Sequence, residues 1–511
     1  MGKDINDYNL VDNYITDNEI DKQYKEINEQ LAIVVSKEDI LAANLLNLKQ
    51  KNAFDLILNT IFNNQTGLFF IDGPGGTGKT FLYKTILAAV RSKKIIALAV
   101  ASSGIAASIL PGGRTAHSLF KIPLHLDNYS SCSVSKQSGL SKLLQLTKLI
   151  IWDEAPMSNK EAIEALNYML KDINNSTLPF GGKVIVFGGD FRQVLPVVPK
   201  GTREQMINAS LVKSELWPLF TKITLTDNMR AKQDPLFSNY LLNIGNGTEP
   251  TIDGKIQLLS SMILPYEDDD TSLNNLIDFV FPDINNYTEN MNTILNRVIL
   301  TPKNEYVDHI NKILINRFPG NSIKYYSFDE TVDKNEQGVQ EDFMNSLTPS
   351  GFPAHELTLK LNCPIILLRN INTSEGLCNG TRLICRQFGS NIIDAEIVTG
   401  DHCGKRIFLP RIPFTPLENE KNIFPFKRTQ FPIRLSFAMT INKVQGQTLD
   451  SVGVFLPEPV FSHGQLYVAL SRAKTLSALR VLIRPPSGNE ADNNHTLNIV
   501  YEEILLLSNT I

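Results

Sequence analysis

Residues 73–80 read GPGGTGKT, which fills every fixed position of the phosphate-cradling pattern G-x-x-x-x-G-K-[ST]. Gly73, Gly75, Gly76 and Gly78, with Thr77 among them, let backbone N–H groups turn inward on phosphate oxygens, and the following helix aims its positive N-terminus at them. Lys79 would reach the β and γ phosphates, and the Thr80 hydroxyl would sit on a magnesium ion. The flanks have the order this chemistry needs: GLFFID (67–72) is short, apolar and β-prone, and FLYKTILAAV (81–90) is long and helix-forming. Binding of a nucleoside triphosphate is the expectation; a glycine-rich turn that binds nothing is the plainer alternative.

Asp153 and Glu154 close the strand-like run KLIIW (148–152), where a sheet carrying such a loop places its second phosphate-site element. Asp153 would hold the magnesium through water, and Glu154 would orient and deprotonate the attacking water. An acid capping a strand-to-helix corner is the structural alternative. A third run ends in GGDFRQ (188–193) and offers Gln193 as a γ-phosphate sensor, since ligands bind at the carboxyl ends of parallel strands. There too Gly188 and Gly189 could merely make a turn that Asp190 caps. Charge on a transferring phosphoryl group calls for arginine donors. Arg230 in LTDNMR (225–230) and Arg472 in LYVALSRAK (466–474) are the candidates, and composition does not choose between that role and a surface ion pair.

These residues need a scaffold of parallel strands. The runs GLFFID, KKIIALAV (93–100), KLIIWDEA (148–155) and KVIVFGG (183–189) alternate with helix-length segments, the signature of a parallel sheet covered on both faces. A second set, TKITL (221–225), RVILTP (297–302), SVGVFL (451–456) and RVLIRP (480–485), predicts a second α/β layer. The expected division is a polar, helix-prone leader over 1–40 with little core-forming power, a first unit over 41–220 and a second over 221–511. Insertions are expected over about 122–144, which is Ser-rich, and about 335–430, which has short strands. The acidic EDDDTSLNN (267–275) reads as a solvated loop.

The 511 residues are 42% hydrophobic, enough for several cores, and show no membrane span, signal core or transit peptide, so an intracellular, soluble protein is expected. Five cysteines at irregular spacing read as reduced thiols; a metal shared by Cys385, Cys403 and His402 is the less favoured alternative. A net charge of −4 confines any nucleic-acid contact to a local groove. By composition the candidate is 405–434, where seven Lys/Arg face two Glu with aromatics interleaved; a solvated proline-rich edge explains it equally well.

The motifs GPGGTGKT, ASSGIAASILPGGRTAHSLF (101–120), IWDEAPMS (151–158), PFGGKVIVFGGDFRQVLPVV (179–198), LTDNMR, AMTINKVQGQTL (438–449) and YVALSRAK (467–474) occur in the order seen in superfamily-one helicases. The set resembles the PIF (petite integration frequency) family of DNA helicases, in wording nearest to the helicase region of Helitron-type rolling-circle transposons. It spans about 46–485. The resemblance implies two RecA-like P-loop NTPase domains with ATP and Mg2+ in the cleft between them, single-stranded DNA across both, and 5′ to 3′ translocation. A wedge-bearing insertion would correspond to about 122–144, and an SH3-like β insertion to the second inserted stretch, where LRNINTSEGLCNGTRL (368–383) matches the family wording.

Carried over by position, Gln50 in LNLKQKNAF matches the adenine-reading glutamine. Gly78, Lys79 and Thr80 match the phosphate and magnesium site, Asp153 and Glu154 the metal and water-activating acids, and Gln193, Arg230 and Arg472 the γ-phosphate contacts. Gly446 and Gln447 belong to the motif coupling ATP to DNA. Ser103, Thr115, His117 and Ser118 on the first domain, and Thr440, Asn442 and Lys443 on the second, are the implied DNA contacts. ASSG and DEAPM depart from the commoner wording without removing a required group. The family implies roles in replication, repair, recombination, telomere maintenance or transposition, in the nucleus if the host is eukaryotic. A monomer on single-stranded and forked DNA is expected, with replication or transposition proteins as candidate partners. A DNA-stimulated ATPase that translocates without separating strands, and an inactive nucleic-acid-binding transposon remnant, are the alternatives.

Overall fold

The apolar run GLFFID becomes the strand Gly67–Asp72 inside a six-stranded sheet. Its strand order is 114–115, 97–101, 149–153, 184–189, 67–72, 221–224, and every pairing is parallel. The computed structural model describes residues 18–123, 131–228, 234–282, 284–286, 294–331, 341–349, 351–372, 375–400, 402–416, 426–485 and 494–509. Side-chain alternation sends Phe69 and Ile71 to one face, against Ile57, Leu82 and Ile86, and Phe70 to the other, with Trp152, Phe187 and Trp217. Both faces are thus buried by helices, and the carboxyl ends of 67–72, 149–153 and 184–189 emerge side by side.

A second sheet runs 438–440, 297–301, 451–456, 479–483, again all parallel, with cores on both faces. The expected α/β architecture with two parallel sheets is therefore observed, with three corrections of boundary. Thr221–Thr224, expected in the second layer, pairs with Phe69–Asp72 at the edge of the first sheet. The chain end also returns: Tyr501 and Ile504 join the first lobe's core, and the Trp217 indole N–H donates to the Leu507 carbonyl at 3.2 Å. The leader helix Asn18–Leu31 likewise contributes Ile27 to that core. Strand affiliation and terminal docking are long-range choices that local propensity leaves open.

The β insertion is wider than 335–430. Strand Ser322–Tyr326 pairs with Glu356–Lys360, and Ile433–Leu435 closes a five-stranded antiparallel sheet ordered 406–410, 392–397, 382–388, 364–367, 433–435. Of the Ser-rich insertion, 124–130 lie outside the described residues, while its far end is the helix Gly139–Leu146, whose Leu140, Leu143 and Leu144 sit in the first core. The acidic stretch is not a loop. Asp268 caps the helix Asp269–Val280, accepting from the Asp270 and Thr271 N–H groups, so the acids sit where a helix N-terminus favours negative charge. Cys385 is buried beside Cys363, whereas Cys403 is exposed. No helix among the described residues is long and apolar enough to cross a membrane.

Candidate active site and nucleic-acid interface

A cleft of about 820 Å³ lies between the lobes, walled on one side by Pro74–Thr80. The loop leaves the strand at Asp72 and enters the helix Lys79–Arg91 through Gly78, whose φ of 78° is left-handed and whose absent Cβ would lie 2.5 Å from the Gln50 amide nitrogen. Thr77 ties the loop to itself through the Pro74 carbonyl at 2.9 Å. Lys79 is buried, its ammonium donating to the Gly73 carbonyl. Gly73 itself sits at the strand end, where a Cβ would meet the Thr77 hydroxyl at 2.6 Å. Gln50 is placed differently from the rest. It is buried behind the loop, accepting from Asn47 N–H at 3.0 Å and donating to the Thr77 carbonyl at 3.0 Å, and it does not line the cleft. Here it braces the phosphate loop.

Asp153 and Glu154 face Lys79 from the end of the strand Leu149–Asp153, which lies one strand beyond 184–189. Burial, then the charge of Glu154, pushes the Asp153 carboxyl up to about 7, with Lys79 opposing. Glu154 is raised as well, chiefly by burial, with Lys79 and Arg472 pulling the other way. Its backbone is left-handed at φ 53°, a strained setting for a residue with a side chain, which turns the carboxylate toward the cleft. Gln193 lines the same wall; its amide nitrogen reaches Asp190 at 3.5 Å and its Oε1 is buried and meets no donor among the described residues.

The opposite wall comes from the second lobe: Gly446, Gln447 and Arg472. Gly446 has φ 83°, and a Cβ there would touch Ala106 at 3.7 Å and Glu154 Oε1 at 3.9 Å, so this turn lies directly on the first lobe's acid. The neighbouring Gln445 donates to Glu154 at 3.4 Å. Arg472 is buried and donates to the carbonyls of Val468 and Gln447, both at 2.9 Å; Glu154 supplies its largest favourable charge contact. Arg230 lies outside the described residues.

Two cross-lobe contacts escaped the sequence reading. Asp190, almost wholly buried, accepts from Arg192 at 3.0 Å and from the Tyr467 hydroxyl at 3.0 Å, joining the strand end that carries Gln193 to the helix that leads to Arg472. His463 accepts the Tyr501 N–H on Nδ1 at 2.8 Å, which leaves Nε2–H to donate to the Phe191 carbonyl at 2.8 Å. That tautomer is neutral, and burial pushes the imidazole down to about 4. Because the folded state resists a proton that the unfolded chain accepts near 6.5, this stability is complete above 6.5 and is lost as pH falls through about 4. Thermal unfolding at stepped pH should show a loss of roughly 3 kcal/mol over that window, flattened in His463→Asn. An equal loss in that variant would assign the acid sensitivity elsewhere.

The residues matched to DNA contacts occupy equivalent places in the two lobes. Ser103 follows the strand Ala97–Ala101 and caps the next helix through Ala106 N–H at 3.2 Å; Thr115, His117 and Ser118 surround the end of the edge strand Arg114–Thr115. Thr440 ends the other sheet's edge strand, followed by Asn442 and Lys443 in the short turn Ile441–Val444. Burial lowers the His117 imidazole and the Lys443 ammonium, with Arg434 adding to the latter. The basic stretch 405–434 proves different from its composition. Lys405 pairs with Glu375, Arg406 with Asp394, Lys427 with Glu330, Arg428 with Asp329 and Arg434 with Asp308. Strand pairing supplies Asp329, Glu330 and Asp394, the helix Asn304–Arg317 supplies Asp308, and Glu375 lies outside the strands, so five of the stretch's cations are offset by acids from elsewhere in the chain, and Arg428 is wholly buried.

Comparison with known proteins follows the same lines. The PIF1-like helicase family matches residues 45–255, and the DNA helicase Pif1 2B domain matches 342–388, within the β insertion. The chain is 28% identical over 429 residues to the Xenopus laevis ATP-dependent DNA helicase PIF1, covering 84% of this chain and 60% of that one. To the Campylobacter jejuni ATP-dependent DNA helicase Pif1 it is 29% identical over 433 residues, covering 81% and 88%. It thus spans 60% and 63% of the length of the Xenopus laevis and Danio rerio relatives. Among solved structures, a Bacteroides Pif1 helicase in complex with ADP-AlF3 and single-stranded DNA superposes with a TM-score of 0.63 at 23% identity, covering 93% of this chain and 96% of that one. The Candida albicans Pif1 helicase gives 0.61 at 23%, covering 90% and 97%. With the phosphate loop and the paired acids inside the first matched segment and the second segment lying within the β insertion, the chain belongs to the PIF1-like helicase family.

Proposed function

We propose that the chain is an ATP-dependent DNA helicase that moves 5′ to 3′ along single-stranded DNA as a monomer and unwinds duplex ahead of it. One observation carries this reading: a single cleft in which Lys79, Glu154 and Gln193 of one lobe face Gln447 and Arg472 of the other. A pocket split between two bodies ties nucleotide state to lobe separation, and the strand-end residues Ser103, Thr115, His117 and Ser118 on one lobe and Thr440, Asn442 and Lys443 on the other would grip DNA alternately. Lys79 and Thr80 would hold the phosphates. Glu154 would take the proton of the attacking water, Gln193 would report the γ-phosphate, and Arg472, joined by Arg230, would meet the charge that develops on it. Thr80 and Asp153 fit a magnesium ion, since a buried carboxylate raised to about 7 beside a second acid is a site for cationic charge. When bound, the ion would neutralise β- and γ-phosphate oxygens.

Asn442 accepts from Gln465 at 3.4 Å, and the turn it occupies runs into Gln445 and Gly446 against Glu154, so a displaced DNA contact would be felt at the acid within a few residues. Strand displacement on 5′-tailed and 3′-tailed duplexes tests the proposal. Unwinding of the 5′-tailed substrate alone is expected. ATPase stimulated by single strands without unwinding of either substrate would favour a translocase, and no turnover at all would leave only a binding module.

A further inference from the structure

The cleft does not end at the phosphate loop. It continues past Gly446 to Leu295, Arg382, Val398 and Thr399, the last three from the β insertion. A second cavity of about 370 Å³, bordered by Glu29, Arg114 and His402, begins beyond Ser108 and Thr399, the two residues that line both spaces. The walls between them are close: a Cβ on Gly400 would lie 2.4 Å from the Ser108 carbonyl.

Arg382 is only 2% exposed and pairs with no carboxylate among the described residues. It donates to the Leu295 carbonyl and, at 3.5 Å, to the Ser436 carbonyl, while its Nε is buried and meets no acceptor among the described residues. A guanidinium has five N–H bonds, so most of its donor capacity is unused. Burial lowers its pKa to about 10, which still leaves it charged at neutral pH. An uncompensated buried cation is unfavourable unless an anion meets it. The anion this cleft would generate is phosphate. Once cleaved from ADP it would stand beside Asp153 and Glu154, which repel it, with ADP filling the loop behind it.

We propose that the inner end of the cleft is a binding site for inorganic phosphate, with Arg382 as its cation. The product would leave between the Gly104–Ile109 helix and the β insertion, past Ser108 and Thr399, into the chamber bordered by Arg114. This rests on the ATPase reading above, and it gives the insertion a part in the nucleotide cycle, because product departure passes along its surface.

Transient kinetics on the full chain would test it, with ATP cleavage followed by rapid quench and free phosphate by a fluorescent phosphate sensor. In Arg382→Met, phosphate release should fall behind cleavage by about tenfold, as expected for losing hydrogen bonds from a charged donor, with Arg382→Lys recovering most of the difference. Thr399→Met, which narrows the junction without touching the arginine, should delay release in the same sense. Release that keeps pace with cleavage in both variants overturns the proposal. If Arg382→Met does not fold, Thr399→Met alone decides. If the chain cleaves no ATP, the ATPase reading fails first. Titration of inorganic phosphate into the ADP-bound chain then still decides the site: unchanged affinity in Arg382→Lys and Arg382→Met would remove it.

Discussion

Lys79→Ala is expected to lower ATP turnover by roughly 10³-fold or more, the usual consequence of removing a preorganised donor from a transferring phosphoryl group. Its ammonium is buried and held by the Gly73 carbonyl, and it moderates the raised carboxyls of Asp153 and Glu154. Taking it away leaves two buried acids facing incoming phosphates with one cation fewer. Unwinding should disappear with turnover, whereas affinity for single-stranded DNA should persist, since the lysine lies at the loop and not at the strand ends matched to DNA. Normal steady-state ATPase in this variant would show that the phosphate site has been assigned wrongly.

Arg472→Ala should separate binding from chemistry. An arginine placed on transition-state charge contributes roughly 10³-fold or more to turnover, so kcat should fall on that scale while ATP affinity changes little. The structure adds a complication, because Arg472 also holds the Gln447 and Val468 carbonyls and so shapes the turn resting on Glu154. Arg472→Lys distinguishes the two roles: it keeps the charge but loses the fork of donors. If alanine and lysine both reduce ATP binding and kcat in parallel, with a lowered Tm, the arginine is a structural brace and the two-lobed pocket loses its principal support.

The Asp190 contacts bear on the same question. Gln193 and Arg472 stand in different lobes, yet Asp190, bonded to Arg192 and Tyr467, lies between them in one buried network. A change in lobe separation at this point would strain the Tyr467 bond, the buried contact that connects the strand end carrying Gln193 to the helix leading to Arg472.

The phosphate loop was legible because its determinants are local: a strand, eight residues with glycine where φ turns positive, and a helix are contiguous in the chain. The acids after KLIIW and the glutamine after GGDFR were legible for the same reason, since a parallel sheet brings strand ends together whatever its neighbour order. Tertiary structure alone decided the rest. It gave Thr221–Thr224 to the first sheet, brought the final helix back onto the first core, turned Gln50 behind the loop, offset five cations of the basic stretch with acids from elsewhere in the chain and placed at the cleft's inner end an arginine from the insertion that meets no carboxylate among the described residues. Those outcomes depend on register and on which distant surfaces meet, and no short window of sequence encodes either.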